Sequence, residues 1–473
     1  MFIGRESQLK DLAQLKKKKT ASLVVITGRR RIGKSSLIEE HGKTFKNIFE
    51  LVGIAPDAKI TNQDQLDNFA RQLSSITELP GLNFKNWPEA FTALSKFCEK
   101  KETLIFLDEI SWMASKDKAF VGTLKIAWDT LFKKNDKLVV VLCGSVSSWI
   151  EENILNDTHF YGRISWTHKL EELPIELLKQ FWGKRQNKIS PKEKMEIISV
   201  TGGIPKYLEE VIISQTSQQN LERLCFSKGG YLFEDFKKIF NDIFDKRASI
   251  YKKIIQELIT EKLSPKDLAI KAGMDYKGEF YKHVTDLESA GFIKRDYTWD
   301  LTGKESKLSK LRICDNYIRF YLKYIEPNSK KIEKNIFKFS SIDSLLNWDT
   351  ISGFQFENVV LNNCRVIFEK LNIPEKNIIQ YGSYFQTKTN RREGCQIDLL
   401  ILCKRKCLYL VELKYKKKIG VGVIKEVEEK VRKLKLSKEY SIRTCLVYMG
   451  ELSKDLIKED FFDETYDFAD LLI

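Results

Sequence analysis

The stretch SLVVITGRRRIGKSSLIEEHGK, residues 22–43, constrains this chain more than any other. A short β-branched run, SLVVIT, leads into GRRRIGKS, which has the spacing GxxxxGK[ST], and a helical pattern follows. Strand, glycine-rich loop and helix in that order make a phosphate-binding loop. Gly28 and Gly33 let the backbone wrap so that successive N–H groups face phosphate oxygens. The helix N-terminus adds its dipole. Lys34 is placed to neutralise the β- and γ-phosphates of ATP and the Ser35 hydroxyl to ligate Mg²⁺. The nucleotide-binding set is therefore Gly28, Arg29, Arg30, Arg31, Ile32, Gly33, Lys34, Ser35 and Ser36.

Such a loop needs a carboxylate at the end of a neighbouring strand. TLIFLDE, residues 103–109, supplies Asp108 to hold Mg²⁺ and Glu109 to orient or deprotonate the attacking water. A third apolar run, KLVVVLCGS at 137–145, ends on Ser145. That residue reads either as a γ-phosphate sensor at the carboxyl edge of the sheet or as a plain strand-ending turn. Helical patterns at 62–77, 88–100 and 118–133 alternate with these runs, which predicts an α/β fold: a parallel sheet with helices on both faces.

Composition narrows the class further. Apolar residues make up 42% of the 473 and charged residues 31%, as in a globular protein with real cores. Lys+Arg exceed Asp+Glu by 80 to 65, an excess that suits a polyanionic partner such as DNA. No apolar run has the roughly 20 residues of a membrane span, and MFIGRESQLKDLAQLKKKK has no signal-peptide core. Nine cysteines without a CxxC pair and four histidines without ligand spacing argue against zinc and for a reduced, cytoplasmic setting.

MFIGRESQL, GRRRIGKSSL, LIFLDEI, VVLCGS, YGR at 161–163 and GGIPKYL at 202–208 occur in that order. Together they resemble the archaeal-type ATPases, relatives of the AAA+ and STAND nucleotide switches. The resemblance implies that Phe2–Glu6 lies near the adenine base and that Arg163 is a candidate phosphate-sensing arginine, in its own subunit or towards a neighbour. It also places Gly203–Pro205 in a small helical lid at about 170–230, with Pro205 towards the nucleotide. The first domain is then 1–230.

In the middle region, 231–330, IYKKIIQELI is amphipathic, and SPKDLAIKAG has Ser264 as N-cap, Pro265 at the first helical position and Gly273 as the stop. A third helix at about 277–290 and the ribbon GFIKRDYTWDL complete the pattern of a winged helix-turn-helix. Its third helix carries Lys277, Lys282 and His283 among acids, so it reads either as a DNA reader or as a protein-packing module. The aromatic stripe of 315–328 reads as core.

The last region, 331–473, contains QIDLLILCKRKCLYLVELK at 396–414. KRK is a polar break between two strand-like runs, hence a hairpin turn. A three-residue loop pairs Cys403 with Cys407 and sets Asp398 opposite Glu412, with Cβ atoms about 4.5–5.5 Å apart. Facing carboxylates repel, and a divalent cation, Mg²⁺ or Mn²⁺, would compensate them. Lys414 falls on the same face. Asp…Glu-x-Lys across a hairpin resembles the PD-(D/E)xK restriction-endonuclease-like core found at the C-terminus of these ATPases. That resemblance implies a further acid on the preceding helix, where Glu357 stands. Residues 361–450 hold 20 Lys+Arg against 9 Asp+Glu, and 451–473 hold 2 against 8, so a basic surface is followed by an acidic tail.

The whole reads as a Mg²⁺-dependent ATPase whose nucleotide state gates a metal-dependent DNA nuclease built on Asp398, Glu412, Lys414 and Glu357. The alternative is an ATP-dependent switch that binds DNA or protein and cuts nothing. A homo-oligomer and a protein partner stay open.

Overall fold

The computed structural model describes residues 2–55, 59–145, 147–244, 247–390 and 393–473. The chain divides into two compact units. The first comprises 1–171 with 238–248 and 289–291; the second comprises 172–237, 249–288 and 292–473.

In the first unit, β1 (Ser22–Thr27), β2 (Asn47–Val52), β3 (Thr103–Asp108), β4 (Leu138–Cys143) and β5 (Ile164–Lys169) form one parallel sheet in the order β2-β3-β4-β1-β5. Every residue of β1, β3 and β4 is buried, as continuous Val/Ile/Leu runs require when helices cover both faces. These are the three strands the sequence predicts. The edge strands β2 and β5 carry polar residues in alternation and half-exposed positions, so their signal is weaker.

The helix Asn62–Thr77 has its predicted span. Its capping box pairs the Thr61 hydroxyl with the Asp64 N–H and the Asp64 carboxylate with the Thr61 N–H. The helices Trp87–Cys98 and Phe120–Thr130 lie close to their predicted spans. The Trp87 ring sits 5.5 Å from Phe69, 5.6 Å from Phe91 and 4.8 Å from Phe120, an aromatic layer against one sheet face.

In the second unit, the helices Pro265–Lys271 and Gly278–Ser289 precede an antiparallel ribbon of β6 (Ile293–Trp299) and β7 (Glu305–Ile313). Ser264 caps the first of these through the Asp267 N–H, and Gly273 stops it at φ +64°, in the left-handed region. His283 is buried edge-on to Tyr251, so it packs the helices and is not offered to a ligand. Tyr317, Phe320, Tyr321 and Tyr324 are core residues, as expected.

The C-terminal sheet runs β12-β11-β10-β9-β8, from β8 (Ile378–Gln386), β9 (Cys395–Cys403), β10 (Cys407–Ile419), β11 (Ser441–Leu452) and β12 (Glu464–Asp467). β10, β11 and β12 are parallel, and β9 is antiparallel to both its neighbours. The helix Gly422–Leu434 packs Val423, Val427 and Leu434 on the face formed by Leu400, Leu402, Leu408 and Leu410. On β10 the opposite face is met by the helix Trp348–Asn362, whose Phe356 lies 5.7 Å from Tyr415.

Between the nucleotide loop and β2, the helix Lys34–Gly42 buries His41 edge-on to Phe45 at 5.1 Å. Burial, with the nearby Lys16, lowers the His41 pKa to about 4. An unfolded histidine takes up its proton near pH 6.5, so between these values the unfolded chain binds more protons and stability falls as pH drops. Denaturant unfolding at pH 7 and pH 4.5 should show wild type losing about 2–3 kcal/mol more than His41→Leu over that interval. Equal losses would show that His41 does not titrate in this window.

Candidate functional site

The first group of functional side chains lies at the carboxyl ends of β1, β3 and β4. β1 gives way to Gly28 at φ +142°, where a Cβ would stand 2.6 Å from the Leu170 carbonyl oxygen, so the turn admits only glycine. Arg31 and Gly33 also take positive φ, and Gly33 starts the helix Lys34–Gly42 without a side-chain cap. The first N–H groups of that helix, at Lys34, Ser35 and Ser36, are thus left for an anion.

Lys34 is buried, and its Nζ donates to the Gly28 carbonyl at 2.9 Å and the Arg29 carbonyl at 3.0 Å. Ser35 Oγ donates to Asp108 Oδ2 at 2.8 Å. Two adjacent oxygen ligands on a strand end and the first turn of a helix fit a hard cation, so Ser35 and Asp108 would hold Mg²⁺ with a nucleotide. Glu109 takes a left-handed φ of 49°, and its carboxylate accepts from Ser145 Oγ at 2.6 Å and from the Ser145 N–H at 3.2 Å. Because β4 lies between β3 and β1, Ser145 stands between Glu109 and the loop. Arg30 Nε reaches Ser145 Oγ at 3.5 Å, and its guanidinium lies 5.2 Å over Trp112. Ile32 is buried, and its carbonyl accepts from the Arg5 guanidinium at 3.2 Å; Arg5 also donates to the Glu171 carbonyl at 2.6 Å. Burial lowers the Arg5 pKa to about 10, which leaves it charged at neutral pH. Phe2–Glu6 is therefore tied to the nucleotide loop.

Arg163 does not join this group. β5 pairs in parallel with β1, and its first residue, Ile164, is in register with Leu23, so Arg163 lies at the amino edge of the sheet. The loop lies at the carboxyl edge, about 16 Å of strand away. There Arg163 forms a bidentate pair with Asp129, at 3.0 and 2.9 Å, and Lys125 approaches the same carboxylate at 3.1 Å. A phosphate-sensing role within its own subunit does not fit this position. Pro205 opens the short helix Pro205–Glu209 in the second unit. Just before it, the Gly203 carbonyl accepts from the Leu173 N–H at 2.8 Å.

The second group is on the central strand β10. The hairpin register is the predicted one, Cys403 with Cys407 through Leu399 with Val411. Beyond that pair the ladder gives way to a side chain: Asp398 Oδ2 accepts the Leu413 N–H at 3.1 Å. Glu412 is 1% exposed, and each of its oxygens meets a lysine. Lys414 Nζ lies 2.9 Å from Oε1 and Lys430 Nζ lies 2.5 Å from Oε2. Lys414 is also 2.6 Å from Glu426. Burial, then the charge of Asp398, pushes the Glu412 carboxyl up, and the two lysines oppose this. Burial works against the Lys414 charge, but Glu412 and Glu426 more than offset it and hold the ammonium above the usual lysine range.

Glu357 is elsewhere. Its helix covers the face of β10 opposite Glu412 and Lys414, and Glu357 is paired with the buried Lys262, which also donates to Ser383 Oγ at 3.1 Å. Among the described residues no group of three or more His, Cys, Asp or Glu side chains is placed to hold a metal. As arranged, Asp398 and Glu412 do not fit a divalent cation: both Glu412 oxygens are taken by lysines, and the neighbouring Glu426 is itself paired with Lys414. The residue that sequence reasoning missed is Lys430. Val423, Val427, Lys430 and Leu434 recur at helical spacing, so a lysine on an apolar stripe was the available signal.

Comparison with known proteins matches the region that holds the first group. Residues 2–211 match a family described as an ATPase domain predominantly from Archaea, and residues 321–432 match one described as archaeal and bacterial proteins of unknown function. An uncharacterized protein of Methanocaldococcus jannaschii is 26% identical over 439 residues, 92% of each chain. A Walker-type ATPase of Pyrococcus abyssi is similar in fold, with a TM-score of 0.50 at 18% identity over 68% of this chain and 96% of that one. The Aeropyrum pernix ORC2 protein, solved as ADPNP–ADP complexes, has a TM-score of 0.42 at 15% identity over 70% of this chain and 94% of that one. No described helix is long and apolar enough to cross a membrane. The chain thus carries an archaeal-type ATPase domain over residues 2–211, built on a five-stranded parallel P-loop sheet.

Proposed function

We propose that this protein is a Mg²⁺-dependent ATPase switch whose nucleotide state gates a C-terminal PD-(D/E)xK-like nuclease acting on DNA, with 231–330 as a winged helix between the ATPase and nuclease-like regions. The observation that carries the switch is that the nucleotide-site groups are closed on one another. Lys34 is held by loop carbonyls, Ser35 by Asp108, and Glu109 by Ser145. Bound ATP would draw Lys34 off the Gly28 and Arg29 carbonyls onto phosphate oxygens. Mg²⁺ on Ser35 and Asp108 would supply charge neutralisation at the phosphates. Glu109, once released by Ser145, would orient a water for in-line attack on the γ-phosphorus, breaking its bond to the ADP oxygen. Ser145 thereby reports whether the γ-phosphate is present.

A second reading, a switch that binds DNA or protein and cuts nothing, is favoured by one observation: both oxygens of Glu412 are held by lysines.

Calorimetry should find ATP affinity about 10- to 100-fold weaker in Lys34→Ala, from the loss of charged hydrogen bonds to phosphate. Arg163→Ala should match wild type as a monomer, and an equal loss there would place Arg163 at the nucleotide. Glu109→Gln should bind ATP while its turnover falls about 10²- to 10⁴-fold. The gating itself is tested by incubating linear, circular and single-stranded DNA with the protein, with Mg²⁺ or Mn²⁺, with and without ATP. Cleavage that disappears in Asp398→Ala and depends on ATP and Lys34 is the expected result. Intact DNA under every condition would leave the binding switch.

A further inference from the structure

The acid pair on β9 and β10 is already neutralised from within. Glu412 is buried in the middle of a central strand, where an uncompensated carboxylate is not tolerated. Around it stand three carboxylates, Asp398, Glu412 and Glu426, and two ammoniums, Lys414 and Lys430. Without Lys430 the cluster would carry two unbalanced negative charges, the number one divalent ion neutralises.

The two lysines are not equivalent. Lys414 stands on the strand itself and is clamped between Glu412 and Glu426. Lys430 reaches in from the helix Gly422–Leu434, makes its one described ion pair with Glu412 Oε2, and keeps 20% of its side chain exposed. A long stem with an exposed part lets its head swing out to water without moving the helix.

We infer that Lys430 is the built-in cation of this site: its ammonium holds the Glu412 oxygen that a divalent ion would need, and the pair takes such an ion only when Lys430 has left. The inference rests on reading Asp398 and Glu412 as a nuclease-type metal pair. It makes Lys430 a positioning residue that keeps the site shut, in place of a surface lysine on a solvated helix.

The test is Mn²⁺ binding to the full-length, nucleotide-free protein, followed by electron paramagnetic resonance of the free ion. A Ser35→Ala/Asp108→Asn background removes the nucleotide-site ligands. In that background Lys430→Gln, which keeps an N–H donor for Glu412 without the charge, should bind Mn²⁺ about 10- to 100-fold tighter than the parent. Lys430→Arg should bind as weakly as the parent, and adding Asp398→Asn to Lys430→Gln should abolish the gain. Circular dichroism and melting curves establish that each variant is folded. Equal Mn²⁺ affinity with and without Lys430, lost in Asp398→Asn, would keep the metal pair and overturn the role of Lys430. No Mn²⁺ binding in any folded variant would overturn the metal pair and the inference together.

Discussion

A strand buried on both faces has no place for a charge along its length unless a counter-charge is buried with it. Both candidate sites follow from this constraint, in opposite ways. β1, β3 and β4 keep their buried interiors apolar and put their chemistry at or just past their carboxyl ends, at Lys34, Asp108 with Glu109, and Ser145. β10 puts Glu412 inside the run, so two lysines are built in with it. The first arrangement is open at the sheet edge, where a ligand can exchange with internal partners. The second is closed by its own side chains.

The proposed switch would rest on such exchange. Each polar group there has a modest internal partner: a neutral carbonyl for Lys34, a hydroxyl for Glu109. Phosphate oxygens are stronger acceptors for Lys34 than carbonyls, because both partners are then charged. The internal bonds satisfy buried groups, and they are weak enough to be traded. Ser145 illustrates the economy of the strand order. With β4 between β3 and β1, one hydroxyl stands beside both Glu109 and Arg30.

How much of this was legible in the sequence depended on whether a feature was local. The nucleotide loop, its helix and the Asp108–Glu109 strand end each sit within one short segment, and the hairpin register follows from a three-residue turn and a period of two. The place of Arg163 was not legible because it depends on β5, whose polar alternation hid a strand that starts at the amino edge and runs towards the nucleotide edge, leaving Arg163 at its far end. Glu357 was misjudged because sequence spacing cannot say which sheet face a preceding helix will cover; Phe356 against Tyr415 decides that. Lys430 required knowing that its helix lies over the acid pair.

The displaced Glu357 has a consequence for the second unit. Lys262, just before the Ser264-capped helix, meets Glu357 and Ser383 of the C-terminal region in a buried contact. On β7, Arg312 joins Asp296 at 2.7 Å to Asn358 of the same C-terminal helix, and Arg319 holds Gln355 at 3.2 Å. Separating the helix-and-ribbon region from the C-terminal region would break the buried Lys262–Glu357 pair and the contacts of Arg312 with Asn358 and of Arg319 with Gln355, and leaving one buried charge unpaired costs about 3–5 kcal/mol. Within this unit, therefore, buried polar contacts hold the ribbon to the region whose sheet carries Asp398 and Glu412.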